Sequence, residues 1–331
     1  MRLGFVGGWG HHYLRGLMDD AEAVAFAGDG RDDAAARQRC DDAADARWFD
    51  DVTQLLDAFR PDVVNVGCVY AHNAPVIAAC LQRGIPVVSD KPIAATWAQL
   101  DELRALCDGH LSRRIITEMD WRCHASLRAA RGAVASGKGG EEVRMSAKPP
   151  YGFGTRAEWN GNRADFGGMI PWVASHALDA VMFATSKPVV RTFGTRGNLA
   201  HRAFDEMEDH TISVVELANG ARGVVHADFL RPAAAATHGD DRLRIAGSEG
   251  VIEIRDGRCR LTTNRAAERD ITEQAPSLKP ARALYDAAVH GEETTFSTAH
   301  SLELAAVLLA ARDAADEMRM IDVPRPHRSA S

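Results

Sequence analysis

The sequence contains no apolar run long enough to cross a membrane, and no apolar leader with a cleavage site stands at its start. A spanning helix needs about 20 consecutive apolar residues, and an export signal needs an apolar stretch followed by small residues. Instead, Met1-Arg2 lead directly into a short apolar strand pattern. We therefore expect a cytoplasmic protein without a membrane partner.

Clustered positive charge is also missing. The 331 residues include 39 Lys and Arg against 46 Asp and Glu, which gives a net charge of −7 at pH 7, and the arginines are spread along the chain. Proteins that bind phosphate polymers need grouped Lys and Arg. The sequence therefore predicts no nucleic-acid partner.

Cysteine is scarce, and no two cysteines form a C-x-x-C pair. Such pairs are typical of zinc and redox sites, and a cytosolic protein keeps isolated thiols reduced. We expect the cysteines to fill core space, and we expect no metal site. The six are Cys40, Cys68, Cys80, Cys107, Cys123 and Cys259.

The first third of the chain alternates short apolar runs with helical patterns. The segments "GFVGG", "AVAFAG" and "DVVNVG" each end an apolar run with glycine. Nearly continuous apolar runs of this length are typical of parallel strands buried on both faces. Repeated β-α units predict an α/β fold whose first part is a Rossmann domain, a doubly wound parallel sheet, over residues 1–120.

The first glycine turn is a candidate phosphate loop. Gly7, Gly8 and Gly10 follow the first apolar run, but Tyr13 stands where the dinucleotide fingerprint has its third glycine. Taken alone, a tight turn is the safer interpretation. In a dinucleotide site, the bare backbone would approach a pyrophosphate at a helix N-terminus, and Trp9 and His11 would contact the cofactor.

An acidic residue after the second strand is the next candidate. Asp29 lies 22 residues after Gly7, where a dinucleotide site places the carboxylate that binds ribose hydroxyls. Asp29 is equally a typical turn residue between two glycines. Its charge would repel a 2′-phosphate, whereas Arg31 would attract one. The cofactor is therefore predicted as NAD or NADP, with NAD preferred.

The tripeptide Asp90-Lys91-Pro92 follows another apolar strand pattern, "PVVS". This position puts a lysine at the carboxyl edge of the sheet, on the side where a cofactor would lie. Burial makes a lysine able to exchange protons near neutral pH. An ordinary surface lysine at a strand end is the alternative interpretation.

The remainder of the chain predicts a second domain over residues 121–331. A polar, glycine-rich segment at residues 149–168 is too long for a simple turn and is predicted to be a functional loop. The turn signals Asn219-Gly220 and Asp256-Gly257 each lie between alternating strand patterns and predict hairpins. We expect an α+β domain with a largely antiparallel open sheet.

The order of these motifs resembles the Gfo/Idh/MocA oxidoreductases, the family of glucose–fructose oxidoreductase and inositol dehydrogenase. The segments "GFVGGWGHH", "YAHNAP", "SDKP", "GGMIPWVASHALD" and "LRIAGSEGVIEIRDG" follow the family's order over nearly the whole chain. The resemblance implies an NAD(P)-dependent homodimer or homotetramer that acts on a small sugar or polyol-like substrate. It also implies cofactor contacts from His72, Asp90 and Lys91.

The resemblance further implies two catalytic residues, which also contact the substrate. Lys91 matches the lysine of the family's E-K-P motif, and His176 matches the histidine of its G-x-H-x-x-D motif. We expect His176 to accept the hydroxyl proton and Lys91 to polarise the oxygen, although the two roles are exchangeable. Asp179 is expected to orient its helix or to dock it on the first domain.

One position departs from the family pattern. Trp172 stands where many members carry an aspartate, four residues before the histidine. An indole removes a hydrogen-bond partner for a sugar but supplies an apolar face for ring stacking. Further substrate contacts are therefore predicted at Trp172 and, in the long loop, at Trp159, Asn162 and Arg163.

Three functional hypotheses follow. The first is an NAD(P)-dependent oxidoreductase acting on a secondary alcohol of a sugar, cyclitol or glycoside. The second is a redox-neutral glycosidase or lyase, which oxidises and then re-reduces a sugar carbon. The third is a dinucleotide-binding regulator without catalysis, which the altered glycine loop and the missing aspartate would suit.

Overall fold

The computed structural model describes residues 1–31, 33–110 and 113–324, and it separates them into two compact units. The first unit comprises Met1–Glu118, Ala164–Gly167 and Lys279–Ala305, and the second comprises Met119–Arg163, Gly168–Leu278 and residues 306–324. The sequence prediction drew one boundary near residue 120. It therefore assigned two segments of the first unit to the second domain. Residues 325–331 of the predicted second domain lie outside the described residues.

The first unit contains a six-stranded parallel sheet with the order β3-β2-β1-β4-β5-β6. This order is the one found in dinucleotide-binding doubly wound folds, so the predicted Rossmann architecture is confirmed. The strands are β1 (Arg2–Val6), β2 (Ala23–Ala27), β3 (Arg47–Phe49), β4 (Val63–Val66), β5 (Val87–Ser89) and β6 (Ile115–Thr117).

The strand sequences explain this arrangement. β1 is almost entirely buried and pairs with β2 on one side and β4 on the other, where Phe5 faces Asn65 in the register. Helices cover both faces of a parallel sheet, so apolar side chains point both ways from each strand. The strand order reverses between β1 and β4. Ligands of doubly wound sheets bind in the crevice at the carboxyl ends of such strands.

Helices connect the strands of the first unit. The segment after the glycine loop is a 3₁₀-helix rather than an α-helix, and its buried residues, Leu14 and Leu17, lie three residues apart on one face. The helical segments are the 3₁₀-helices Tyr13–Asp20 and Tyr70–His72, α1 (Asp33–Asp41), α2 (Val52–Gln54, continued by a π-turn over Leu55–Phe59), α3 (Asn73–Gln82) and α4 (Trp97–Cys107).

A buried asparagine begins α3. Asn73 is the first residue of the helix, and its buried side chain accepts a hydrogen bond from the Cys68 amide and donates one to the Pro92 carbonyl. These bonds join the loops that follow β4 and β5. Asn73 therefore holds the edge of the sheet on which the candidate site lies.

The second unit is built on a mixed, mostly antiparallel sheet with the path β15-β14-β13-β12-β7-β11-β10-β9-β16, and β8 pairs with β11. Among the described strands of this second sheet, only the pairings of β11 with β7 and with β8 are parallel. The strands are β7 (Glu142–Lys148), β8 (Pro150–Gly152), β9 (Val189–Gly197), β10 (His210–Leu217), β11 (Arg222–Arg231), β12 (Arg242–Gly247), β13 (Gly250–Arg255), β14 (Arg258–Thr263), β15 (Ala266–Asp270) and β16 (Ile321–Asp322).

Both predicted hairpins are present. Asn219-Gly220 joins β10 to β11, and Asp256-Gly257 joins β13 to β14. Asp256 and Gly257 have positive φ angles of 53° and 70°, as the two central residues of a type I′ turn require. The predicted open antiparallel architecture of the second domain is therefore confirmed.

The helices behind this sheet include α7, whose eleven residues are all buried. The helix packs against α5 and β7. The α-helices of the remaining chain are α5 (Ala125–Ala135), α6 (Arg163–Phe166), α7 (Ser175–Thr185, preceded by a π-turn over Ile170–Ala174), α8 (Pro280–Tyr285, continued by a π-turn over Asp286–His290) and α9 (Thr298–Glu317). Short 3₁₀-helices occupy Asp120–Cys123, Glu158–Gly161 and Thr272–Gln274.

Across residues 1–31, 33–110 and 113–324, no helix combines the length and apolar character needed to cross a membrane. The cysteines are reduced, and all are buried except Cys107, which is partly exposed. The burial of these five cysteines agrees with the prediction that the cysteines fill space in the core.

Candidate active site

The glycine loop turns tightly at the carboxyl end of β1. Gly7 and Gly10 adopt positive φ angles of 83° and 72°, which glycine reaches without steric cost. A Cβ on Gly8 would lie 2.4 Å from backbone atoms of Ala35 in α1, so this glycine allows a close approach between loop and helix. The loop therefore has the compact backbone that the sequence predicted for a pyrophosphate site.

Basic side chains lie beside this loop. Arg39 of α1 donates a hydrogen bond of 3.0 Å to the Gly10 carbonyl, and its guanidinium is partly buried. Positive charge next to bare glycine backbone suits a pyrophosphate. The observed loop and its arginine thus fit a dinucleotide. No sequence motif indicated Arg39, because α1 brings it to the loop from 29 residues away.

Lys91 is buried at the carboxyl end of β5. Its side chain is 3% exposed, and its Nζ lies 3.1 Å from Asp90 Oδ1 and 3.2 Å from His11 Nδ1. The structure therefore brings together Gly10, His11, Asp90 and Lys91, four of the predicted site residues, within one unit. The alternative interpretation of Lys91 as a surface residue is wrong.

The electrostatics of this cluster fix its charges. Burial alone would raise the pKa of Asp90, but Lys91 and His11 outweigh burial and lower that pKa below its ordinary value. Asp90 therefore carries its negative charge at neutral pH and holds the ammonium of Lys91 in place.

Two further polar residues of the cluster were not predicted. Glu118, directly after β6, accepts hydrogen bonds of 2.9 Å at Oε1 from the Tyr13 amide and from Asn65 Nδ2, while its Oε2 receives none from the described residues. Burial, followed by the charge of Asp90, raises the pKa of Glu118 to about 7. Asn65 interrupts the apolar run of β4, and Glu118 directly follows the apolar run of β6. A polar residue within or just after an apolar strand pattern was therefore the sequence signal that could have indicated these two residues.

The same donors also have the spacing of a metal-ligand set. One ligand atom each from His11, Asp90 and Glu118 lie within 4.8 Å of one another. Lys91 already places its positive charge against the first two of these residues. A metal ion held by the same side chains would lie close to the Lys91 ammonium and would be repelled by its charge. The arrangement therefore favours a site built around the lysine over a metal site.

The histidines that replace the third glycine differ from each other. His11 is half-exposed and stacks on Tyr13 with 5.2 Å between ring centroids. His12 is buried against Phe5, and burial together with the charge of Arg39 lowers its pKa to about 3. His12 is therefore neutral and fills space beside Gly67, where an added Cβ would lie 2.3 Å from its ring.

The other predicted cofactor residues lie at the ends of β2 and β4. The carboxylate of Asp29 is buried and accepts hydrogen bonds of 3.0 Å from the amides of Arg31 and Val69, and His72 Nδ1 lies 3.7 Å away. The guanidinium of Arg31 pairs with Asp165 at 2.5 Å. Asp29 thus joins two loops of the sheet edge, and Arg31 already has an acidic partner.

His176 and Asp179 lie one turn apart on α7 in the second unit. His176 is 9% exposed and faces Tyr151 edge-on, with 5.9 Å between ring centroids. Asp179 accepts two hydrogen bonds from the guanidinium of Arg122, and both side chains are buried. The Arg122 pair orients α7 within its own unit, in agreement with the first of the two roles predicted for Asp179.

Trp172 begins an aromatic cluster in the second unit. Its ring lies 5.5 Å from that of Phe229, and the guanidinium of Arg156 lies 4.8 Å from the Trp172 ring centroid and 4.5 Å from that of Phe229. Cation–π contacts of this length hold an arginine over aromatic faces. Arg156 was not among the predicted site residues.

The three predicted loop residues have different surroundings. Arg163 forms ion pairs with Glu208 and Asp316, so its charge is neutralised within the second unit. Trp159 is partly exposed on a 3₁₀-helix, and Asn162 is exposed at the end of that helix. The ion pairs give Arg163 a structural role alongside the substrate contact that the sequence predicted.

Comparisons with known proteins cover both units. Residues 1–115 match a family described as "Oxidoreductase family, NAD-binding Rossmann fold", and residues 127–253 match "GFO/IDH/MocA C-terminal domain". No curated protein sequence matches the chain.

Several solved structures share the fold. A Thermotoga maritima protein described as an oxidoreductase is 24% identical with a TM-score of 0.88, and the match covers 98% of this chain and 100% of that one. A levoglucosan dehydrogenase in complex with NADH and L-sorbose is 15% identical with a TM-score of 0.79, over 98% and 99% of the two chains. An aldose-aldose oxidoreductase from Caulobacter crescentus, complexed with glycerol, is 17% identical with a TM-score of 0.79, over 97% and 99%.

Proposed function

Since the chain belongs to the GFO/IDH/MocA family of oxidoreductases with an NAD-binding Rossmann fold, we propose that it oxidises a secondary alcohol of a sugar, cyclitol or glycoside. The observation that supports this reaction is the buried ammonium of Lys91 between Asp90 and His11, at the carboxyl edge of the sheet beside the glycine loop. Lysines in this position serve proton chemistry because their surroundings control their charge.

Alcohol oxidation makes two demands on the protein. Hydride must leave the carbinol carbon while a base takes the hydroxyl proton. NAD, when bound, accepts the hydride. We assign to Lys91 the binding and polarisation of the reacting oxygen and to His176 the acceptance of its proton, with Trp172, Trp159, Asn162 and Arg163 as proposed substrate contacts.

The residues of the first unit also support a choice of cofactor. Gly7, Gly8 and Gly10, with Trp9 and His11, would hold the pyrophosphate side, and Asp29 and His72 lie at the adjacent strand ends. The guanidinium of Arg31, which would attract a 2′-phosphate, is paired with Asp165. We therefore propose NAD rather than NADP.

A turnover assay tests the proposal. The purified protein is incubated with NAD⁺ or NADP⁺ and a panel of aldoses, cyclitols and glycosides, and formation of NADH or NADPH is followed by absorbance. We expect NADH to accumulate with at least one substrate, and NADPH to form more slowly when NADP⁺ replaces NAD⁺.

Two other outcomes would contradict this function. Cleavage of a glycoside with only catalytic NAD⁺ and no accumulation of NADH would indicate the redox-neutral glycosidase or lyase. Tight NADH binding without conversion of any compound would indicate a regulator. Product analysis by mass spectrometry, run beside the absorbance assay, separates these two results.

A further inference from the structure

The second unit contains an open pocket of about 640 Å³ next to the helix that carries His176. Its position is set by the end of β8, the end of β11 and the loop that follows β11. The side chains that define its character are Phe153, His201, Phe229, Arg231, Thr237 and His238. None of them was predicted from the sequence, and none belongs to the cluster around Lys91.

The walls of this pocket are aromatic. Phe153 and His201 stack with 3.8 Å between ring centroids, and Phe229 stands perpendicular to Phe153 at 5.9 Å. His238 stacks on Tyr151 at 5.4 Å. Flat aromatic faces of this kind accept the C–H face of a pyranose ring, whose burial removes apolar surface from water.

Polar groups are added to the aromatic surface. Arg231 donates hydrogen bonds of 2.7 Å to the Thr237 carbonyl and to its hydroxyl, which fixes the loop after β11. His201 Nε2 lies 3.1 Å from the Phe229 carbonyl oxygen, and the Thr237 hydroxyl donates to the Gly239 carbonyl, so both groups are fixed in place. Imidazole nitrogens and a hydroxyl oxygen can exchange further hydrogen bonds with the hydroxyl groups of a ligand. An apolar wall with a few fixed polar groups is typical of a small-molecule subsite.

Three ring contacts connect the pocket to the proposed catalytic helix. Tyr151 touches both His238, which lines the pocket, and His176 on α7. Trp172, at the start of the same helical segment, touches Phe229. A molecule that extends from His176 past Tyr151 therefore reaches the pocket.

We propose that this pocket binds the second, non-reacting sugar ring of a disaccharide or glycoside. The inference rests on the proposed function, because it assumes that a sugar is the molecule oxidised. It narrows the substrate class from free monosaccharides to glycosides. It also assigns a binding role to Phe153 and His238.

Two measurements test the pocket: the affinity for sugars at equilibrium and the rate of their oxidation. Glucose, methyl glucosides, maltose and cellobiose are titrated into the protein by calorimetry, and kcat/KM is measured for each compound that is oxidised. The variants are Phe153→Ala and His238→Ala, with His124→Ala as the control. His124 is an exposed histidine of the same unit and lies outside the pocket.

At least one two-ring compound or glycoside should bind about tenfold more tightly than glucose, as one or two ring contacts provide. Both pocket variants should lose this advantage, and His124→Ala should keep it. Equal affinity for glucose and all larger compounds, or an advantage that survives both pocket substitutions, would overturn the proposal. If no sugar is oxidised, the proposed function fails, and the binding data still decide about the pocket.

Discussion

Lys91→Ala is expected to lower kcat for sugar oxidation by about 10²- to 10⁴-fold, the usual contribution of a positioned proton-transfer group, while NADH still binds. The reason lies in the cluster geometry. Lys91 Nζ is held between Asp90 and His11, and it is the buried cation of this edge of the sheet among the described residues. Alanine removes the group proposed to polarise the reacting oxygen, and it leaves the three glycines of the loop in place.

The measurement combines steady-state kinetics with NADH titration by fluorescence. Alanine also leaves Asp90 without its ammonium partner, so Lys91→Met is needed as a second variant that retains the volume of the stem. Lys138→Ala, an exposed lysine that donates to Gln274, is the control. Near-normal kcat in both Lys91 variants would refute the assignment, whereas loss of NADH binding in both would give Lys91 a cofactor-binding role instead.

Much of the first unit could be predicted because its local patterns agree with its tertiary structure. The apolar runs of β2 and β4 are buried on both faces, as the sequence pattern of a parallel strand requires. The helix Trp97–Cys107 begins where the side chain of Thr96 caps its first turn, which is a local signal that the sequence carries. The same consistency holds for the hairpin turns of the second unit.

The composition of the lysine cluster could not be predicted in full, for a topological reason. Asn65 lies within β4, and Lys91 and Glu118 follow β5 and β6, so these residues come together only because the three strands lie side by side in the sheet. Local sequence patterns indicate the strands but not which polar residues become neighbours. The motif Asp90-Lys91-Pro92 was found from its place after a strand pattern and was supported by the family resemblance, whereas Glu118 belongs to no such motif.

The segmentation of the chain was missed for a similar reason. Residues 164–167 and 279–305 belong to the first unit although they come after the first domain in sequence. Arg31 pairs with Asp165, and Arg114 donates to the carbonyls of Ala288 and Val289, so side chains far apart in sequence hold these segments. No change in amino-acid composition marks the two places where the chain goes back to the first unit.

Glu118 gives the second large expected effect, a pH-dependent loss of stability. Its pKa is raised from 4.5 to about 7 in the folded protein. Between these values the folded state keeps the proton that the unfolded state has released, so the free energy of unfolding falls as pH rises. The full difference, reached above pH 7, is about 3 kcal/mol.

Glu118→Gln removes this ionisation and keeps an oxygen that can accept from Tyr13 and Asn65. Burial lowers the pKa of His12 from 6.5 to about 3, so His12 makes the free energy of unfolding rise with pH between those values. The experiment therefore compares the free energy of unfolding of the variant with that of wild type at each pH, because the contribution of His12 is the same in both. The surrounding charges, on Asp90, Lys91, His11, Arg15 and Arg39, are common to both proteins. From urea unfolding at pH 5 to pH 8, the variant should gain about 2.5 kcal/mol relative to wild type, because part of the full difference has already developed at pH 5. The exposed Glu102→Gln should show a constant difference, and a constant difference for Glu118→Gln would mean that this carboxyl ionises normally in the folded protein.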